Sequence, residues 1–285
     1  MTGPYREPAS VEPQDRTAAR YVPMTHREER LRRVLRGLPL FALVLAAFLL
    51  ERAWLVGLGL AYGVGVVVLG RMHEGSLNRR LKALAGTLAK NGDPHVAARN
   101  LESLVADSRP YPAFHSVALL FLGIARARGG DAQGALDLLL VVEHAGWLSH
   151  KVLWLAWLLP WLAQLYAVRD DLGRAQHWIE VATANLPADK HEVLVSPRTL
   201  VLLKQGKNDE AETAIERYVA GANASDPIRE HFALLAAFAR ERAGKPVDAN
   251  EVRKLVKSRA ASPGRALPLE KWWADFEAFL VKYGA

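Results

Sequence analysis

Nine histidines and thirty carboxylates could hold a metal or move protons, but their arrangement supports neither. No HExxH signature occurs, and His95, His115, His144, His150, His177, His191 and His231 show no ligand spacing. Asp170–Asp171 and Asp209–Glu210 are paired carboxylates, yet both fall on predicted turns, where solvated helix caps are the default. Walker A, dinucleotide-binding glycine and GxSxG patterns are absent. GLGLAYGVG lies inside an apolar run, which makes its glycines a helix-packing feature and not a phosphate loop. The chain has no cysteine, so a disulfide framework, a thiolate zinc site and a cysteine nucleophile are excluded. SPRT and SPGR could accept phosphate, but such tetrapeptides are common by chance. The expectation is no enzyme: no catalytic residues, no cofactor and no metal.

Charge narrows the partners. The net charge is +7, with 10 Lys+Arg against 7 Asp+Glu in residues 1–76 and 27 against 23 in residues 77–285. Neither part has the dense basic surface of a nucleic-acid binder, so no nucleic acid is expected. The basic excess suits lipid headgroups or an acidic peptide, or is ordinary solvated surface.

Four regions follow from pattern. Residues 1–24, with Pro4, Pro8, Pro13 and Pro23 and few large apolar side chains, read as a disordered arm and not as a signal peptide. Residues 25–36 read as a basic helix that begins with a Thr25/Glu28 capping box and carries Arg27, Arg30, Arg32, Arg33 and Arg36. Residues 37–70 contain only Glu51 and Arg52 as charges. One helix over this stretch would be about 51 Å long against a hydrocarbon core of about 30 Å. A break at Glu51–Arg52 gives a transmembrane hairpin of about 38–50 and 53–70. Gly59 and Gly63, with Ala61 and Gly65, would pack its helices or a homodimer. The alternative is one span at 53–70, with the first half lying in the interface and with arm and domain on opposite sides. Lys/Arg counts of eight, one and five in the first flank, turn and second flank place both flanks in the cytoplasm. The expected partners are then a lipid bilayer, plausibly a bacterial inner membrane, and a protein or peptide.

Residues 77–285 repeat. GDPHVA, GDAQGA, DDLGRA, GKNDEA and GKPVDA end at Ala97, Ala135, Ala175, Ala211 and Ala249, spaced by 38, 40, 36 and 38 residues. Apolar-periodic segments flank each block, as a helical hairpin requires. The turn residues end one helix, and the alanine marks where two helices approach closely.

With Leu122, Gly123, Gly130 and Ala135 in one unit, and Leu162, Ala163, Tyr166, Ala175 and Pro187 in the next, the pattern resembles the tetratricopeptide repeat. The period exceeds that family's, the early Trp is absent, and Arg253 stands at an apolar position. The resemblance implies an all-α solenoid of about five helix pairs with a C-terminal capping helix. It also implies a partner groove lined by the first helix of each pair. Carried over, that groove comprises Leu120, Phe121, Ile124, Arg128, Trp157, Trp161, Gln164, Leu234, Phe238 and Arg242. Basic residues would sit near its helix ends. Trp154, Trp157 and Trp161 share one helix face, either as core or as groove anchors. The segment LPLEKWWADFEAFLVKY either caps the last unit or occupies the groove itself. These features lead to the expectation of a membrane-anchored scaffold or adaptor. The alternative is a structural subunit of an envelope complex, and an enzyme with an unrecognised site is a third reading.

Overall fold

The computed structural model describes residues 21–49, 54–89, 92–221, 226–261 and 267–284. The described chain is all-α and repeat-like. Its helices are α1 (His26–Leu49), α2 (Trp54–Ala89), α3 (Pro94–Ser108), α4 (Pro112–Gly129), α5 (Ala132–Ala145) and α6 (Val152–Val168). They continue with α7 (Leu172–Asn185), α8 (Val195–Lys204), α9 (Asn208–Gly221), α10 (Asp226–Arg242), α11 (Ala249–Ala261) and α12 (Ala274–Gly284). From the last turns of α2 onward, each helix packs on its neighbour in the chain. α6 also packs directly on α8.

The repeated turns have a common construction. Asp93, Asp131 and Asp171 each accept a backbone N–H two or three residues on, capping α3, α5 and α7. Five residues before the repeat alanine the chain turns left-handed, at Gly130, Gly206 and Gly244 with φ of 97°, 76° and 70°. The third unit places Asp170 there instead, at φ 62°. A non-glycine residue in this conformation is strained, although aspartate tolerates it better than most. Ala97, Ala135, Ala175 and Ala211 are buried at the helix contacts, while Ala249 is only half-buried. A Cβ on Gly123 would lie 2.7 Å from Leu139 Cδ2, which explains the glycine where α4 crosses α5.

The N-terminal region departs from expectation. Among the described residues, no helix is long and apolar enough to cross a membrane, and the expected transmembrane hairpin is corrected accordingly. Two features show why. α1 is charged through its first half, contains Pro39, and leaves only Leu38–Leu49, about 18 Å, as apolar helix. α2 runs without a break past Gly70 through Arg71, Glu74, Arg79, Arg80 and Lys82 into the repeat body. There Leu77, Leu81 and Leu88 are buried. The expected boundary between hairpin and repeats therefore lies inside one helix. α1 packs along α2, and a Cβ on Gly63 would only touch Leu40 at 4.0 Å. Nothing lies near Gly65, and Ala61 is exposed, so these small residues mark no close crossing. Gly59 lies in α2, while Glu51 and Arg52 lie outside the described residues.

Most of the expected arm, residues 1–20, also lies outside them. Its last residues are packed. Pro23 is buried, and Trp147 Nε1 donates to the Met24 carbonyl at 3.0 Å. The His26 ring lies tilted against the same tryptophan, with centroids 3.8 Å apart. The Thr25/Glu28 capping box is present in both directions, at 2.7 and 3.2 Å. His115 Nε2 lies 3.1 Å from the Tyr21 carbonyl, and its Nδ1 lies 3.1 Å from Ser108 Oγ. Nδ1 also lies 3.0 Å from the Val105 carbonyl, which accepts the Ser108 hydroxyl proton, so a neutral ring donates to only one of the two carbonyls it faces.

Two histidines tie stability to pH. Burial pushes the His115 imidazole below its ordinary range, against the opposing pull of the Tyr21 and Val105 carbonyls. Burial also pushes His231 down to about 3, with Arg259 adding to the effect, and its Nδ1 is sealed without a partner. Both are neutral when folded, whereas the unfolded chain takes up protons near pH 6.5. Their contribution is thus fully present above about pH 6.5 and is lost as the pH falls toward the folded values. Glu28, held low by Thr25, and Glu212, held low by Lys245 and Arg240, act only below the ordinary carboxylate range. We expect His231 alone to cost about 2 kcal/mol of stability between pH 7.5 and 5. Denaturant midpoints at the two pH values check this, and His231→Leu should flatten the difference. A pH-independent midpoint would contradict it.

Candidate functional site

The expected groove residues divide into three groups. Leu120 and Ile124 are buried in the core, as are Leu234 and Phe238, so none of the four lines an open surface. Their helix faces are covered on both sides, which apolar periodicity alone does not reveal.

The second group forms an accessible aromatic face on α4 and α6. Phe121 meets Trp154 edge-on at 6.3 Å and Trp157 at 6.1 Å. Trp154 and Trp161 are half-buried, and Trp157 is 41% exposed. The tryptophan stripe is therefore neither pure core nor open groove: its inner edges pack, and Trp157 presents a free face. Val152 and Leu153 extend it, with Leu153 at 65% exposure. Neither was expected as lining, although both open the apolar run of α6 directly after Lys151. Gln164 is half-buried one turn below Trp161.

The third group is basic and structural. Arg128 Nη1 donates to the Leu88 carbonyl at the end of α2 (2.7 Å), and its guanidinium lies 6.0 Å from the Trp161 ring. Burial pulls its pKa below the ordinary guanidinium range. Arg242 Nη1 donates to the Leu203 carbonyl at the end of α8 (3.0 Å). Lys204 reaches Asp170, just past the end of α6, at 2.7 Å. These three cations stand seven residues before Ala135, Ala249 and Ala211 respectively. Each reaches the end of the first helix in the preceding pair, where the helix dipole is negative: Arg128 and Arg242 bond a carbonyl there and Lys204 a carboxylate. Sequence spacing could have shown this, because the seven-residue offset recurs.

At the corresponding position the third unit carries Val168. The end of α4 therefore receives no cation from α6. It receives one from far along the chain: Lys271 Nζ donates to the Gly129 carbonyl at 3.0 Å. The segment around Lys271 lies along the ends of the first helices. Trp273 sits under Lys204 Nζ at 4.6 Å and beside Arg242 at 5.6 Å. Behind it, Trp273, Phe276 and Phe279 surround Phe238 at 4.9–5.3 Å. The segment covers Phe238 of α10 and runs back to the end of α4.

Two other features are less rich. A cleft of about 780 Å³ opens between α7 and α8, lined by Ile179, Thr183, Arg198 and Val201 among others. Glu180 and Lys207 also line it, and Arg198 is bonded across it to Thr183 at 2.9 Å. Among the described residues, no three His, Asp or Glu side chains are grouped to hold a metal ion.

The chain matches no protein-family model, no curated protein and no solved structure.

The Asp170–Lys204 contact is the rung most open to test. The Lys204 side chain is 7% exposed and Asp170 is 69% exposed, so solvent screens the pair from one side. Asp170→Asn keeps a residue that accepts positive φ but removes the charge. It should lower stability by about 1 kcal/mol and loosen the contact between Lys204 and Trp273. Denaturant melts and hydrogen exchange at the Trp273 amide report the two effects. Unchanged values in both would remove the rung from the account.

Proposed function

We propose that this chain is a helical-repeat scaffold, tetratricopeptide-like in construction, that holds a protein or peptide segment on the aromatic face of α4 and α6. The observation that carries this reading is the contrast between two halves of one surface. Around α10 the apolar side chains are covered by the chain's own Trp273, Phe276 and Phe279. Around α6 the equivalent aromatic surface stays open at Leu153 and Trp157. A partly packed tryptophan beside exposed aliphatic side chains has the character of an interaction hot spot: a rigid anchor with its cost of ordering already met. Binding at such a face requires no catalytic group.

A photo-crosslinking residue at Leu153, with a control at exposed Gln176, tests the reading in cells. We expect discrete adducts at the first position that fall at least about thirtyfold on Trp157→Ala, as loss of a hot spot predicts. Adducts equal at both positions, or indifferent to Trp157→Ala, would refute the proposal.

A further inference from the structure

The hairpin of α1 and α2 carries an apolar surface that nothing in the described chain covers. Of the 22 large apolar side chains exposed among the described residues, 16 lie between Leu31 and Met72. On α1, Leu31, Val34, Leu35, Leu38, Phe41 and Leu45 are all exposed, and their spacing places them on one face. Leu40 and Leu43, toward the other side, are half-buried. On α2, Leu60, Val64 and Val67 share one face and Leu69 lies on the opposite one, all at 58–69% exposure. An apolar area of this density on an exposed element marks an interaction site.

Charge selects the occupant. Arg27, Arg30, Arg36 and Arg71 are exposed at the base of this surface, and none has an ion pair among the described residues. Glu28, Glu29 and Glu74 offset part of this charge and Arg32 and Arg33 add to it, so the collar stays net positive. A second copy packed in parallel would bring an equal positive collar against this one, which like-charge repulsion disfavours, and one packed antiparallel would leave both collars without a counter-charge. An anionic lipid surface complements both parts: phosphate headgroups meet the arginines, and the acyl boundary receives the leucines and Phe41. We propose that the hairpin docks on an anionic lipid surface, lying in the headgroup–acyl boundary with its exposed apolar face inward. Such a helix pair rests in one leaflet and need not cross it. The proposal is independent of the aromatic face on α4 and α6, so either can fail alone.

The test uses the full chain with phosphatidylcholine vesicles, with and without phosphatidylglycerol. Sedimentation should require phosphatidylglycerol. Replacing the four arginines by glutamine should weaken it roughly 600-fold, from roughly fivefold per charge. Melting curves of the variant confirm that it is folded, since all four side chains are exposed. Because the chain has no cysteine, Phe41→Cys and Leu60→Cys each accept a single nitroxide. On vesicles the label should sit roughly 5–10 Å below the headgroups. Four results would each overturn the proposal: no sedimentation, sedimentation indifferent to phosphatidylglycerol and to the arginines, a label at the bilayer centre, or spin–spin broadening between copies without lipid.

Discussion

The repeat stack depends on how the carboxyl ends of its first helices are closed. Each end presents carbonyls without intrahelical partners and the negative pole of the helix dipole. Arg128, Lys204 and Arg242 close three of them, each reaching from the first helix of the next pair. The contact therefore does two things. It gives the helix end a cationic partner, and it ties neighbouring pairs together. Arginine and lysine suit this because their stems lie along apolar surface while the charged tip reaches a carbonyl or carboxylate. Trp161 and Trp273 receive the same cations on their rings, so aromatic and basic residues serve one joint.

The exception organises the C-terminus. Val168 breaks the series, and the end of α4 is left to Lys271. A residue 142 positions distant closes it, which requires the intervening units to bring the two together. Trp273 is then set between Lys204 and Arg242, and the aromatic side chains of α12 close over Phe238. The covered half lies around α10 and the open half around Leu153 and Trp157 of α6. Leu153 and Trp157 remain outside because the covering segment leaves the ends of the helices before it reaches them.

Much of this was legible locally. The repeat alanines, the Thr25/Glu28 box and the turn positions are set by steric and hydrogen-bonding demands that act over a few residues, and residue type reports them directly. The lining was harder. Leu120 and Phe238 have the periodicity of a helix face, but periodicity does not distinguish a face turned to a groove from one covered by another helix. Arg128 and Arg242 looked like lining because charge suggests solvent. Their recurrence seven residues before the alanine carried the contrary signal. The hairpin misled for a different reason. Hydropathy summed over residues 37–70 does not show that α2 continues as helix through Arg71 and Glu74. Lys271 and Gly129 could be paired only by the fold.

That continuity of α2 has a mechanical consequence. A 36-residue helix is about 54 Å long and bends little. One end carries the exposed hairpin surface, and the other supplies Leu77, Leu81 and Leu88 to the core and the carbonyl that Arg128 grips. No loop lies between them to absorb motion. The helix is a lever with its fulcrum at the first repeat. A change of tilt at the hairpin is delivered as a displacement at Leu88, and through Arg128 to Trp161, without any intermediate element having to change shape.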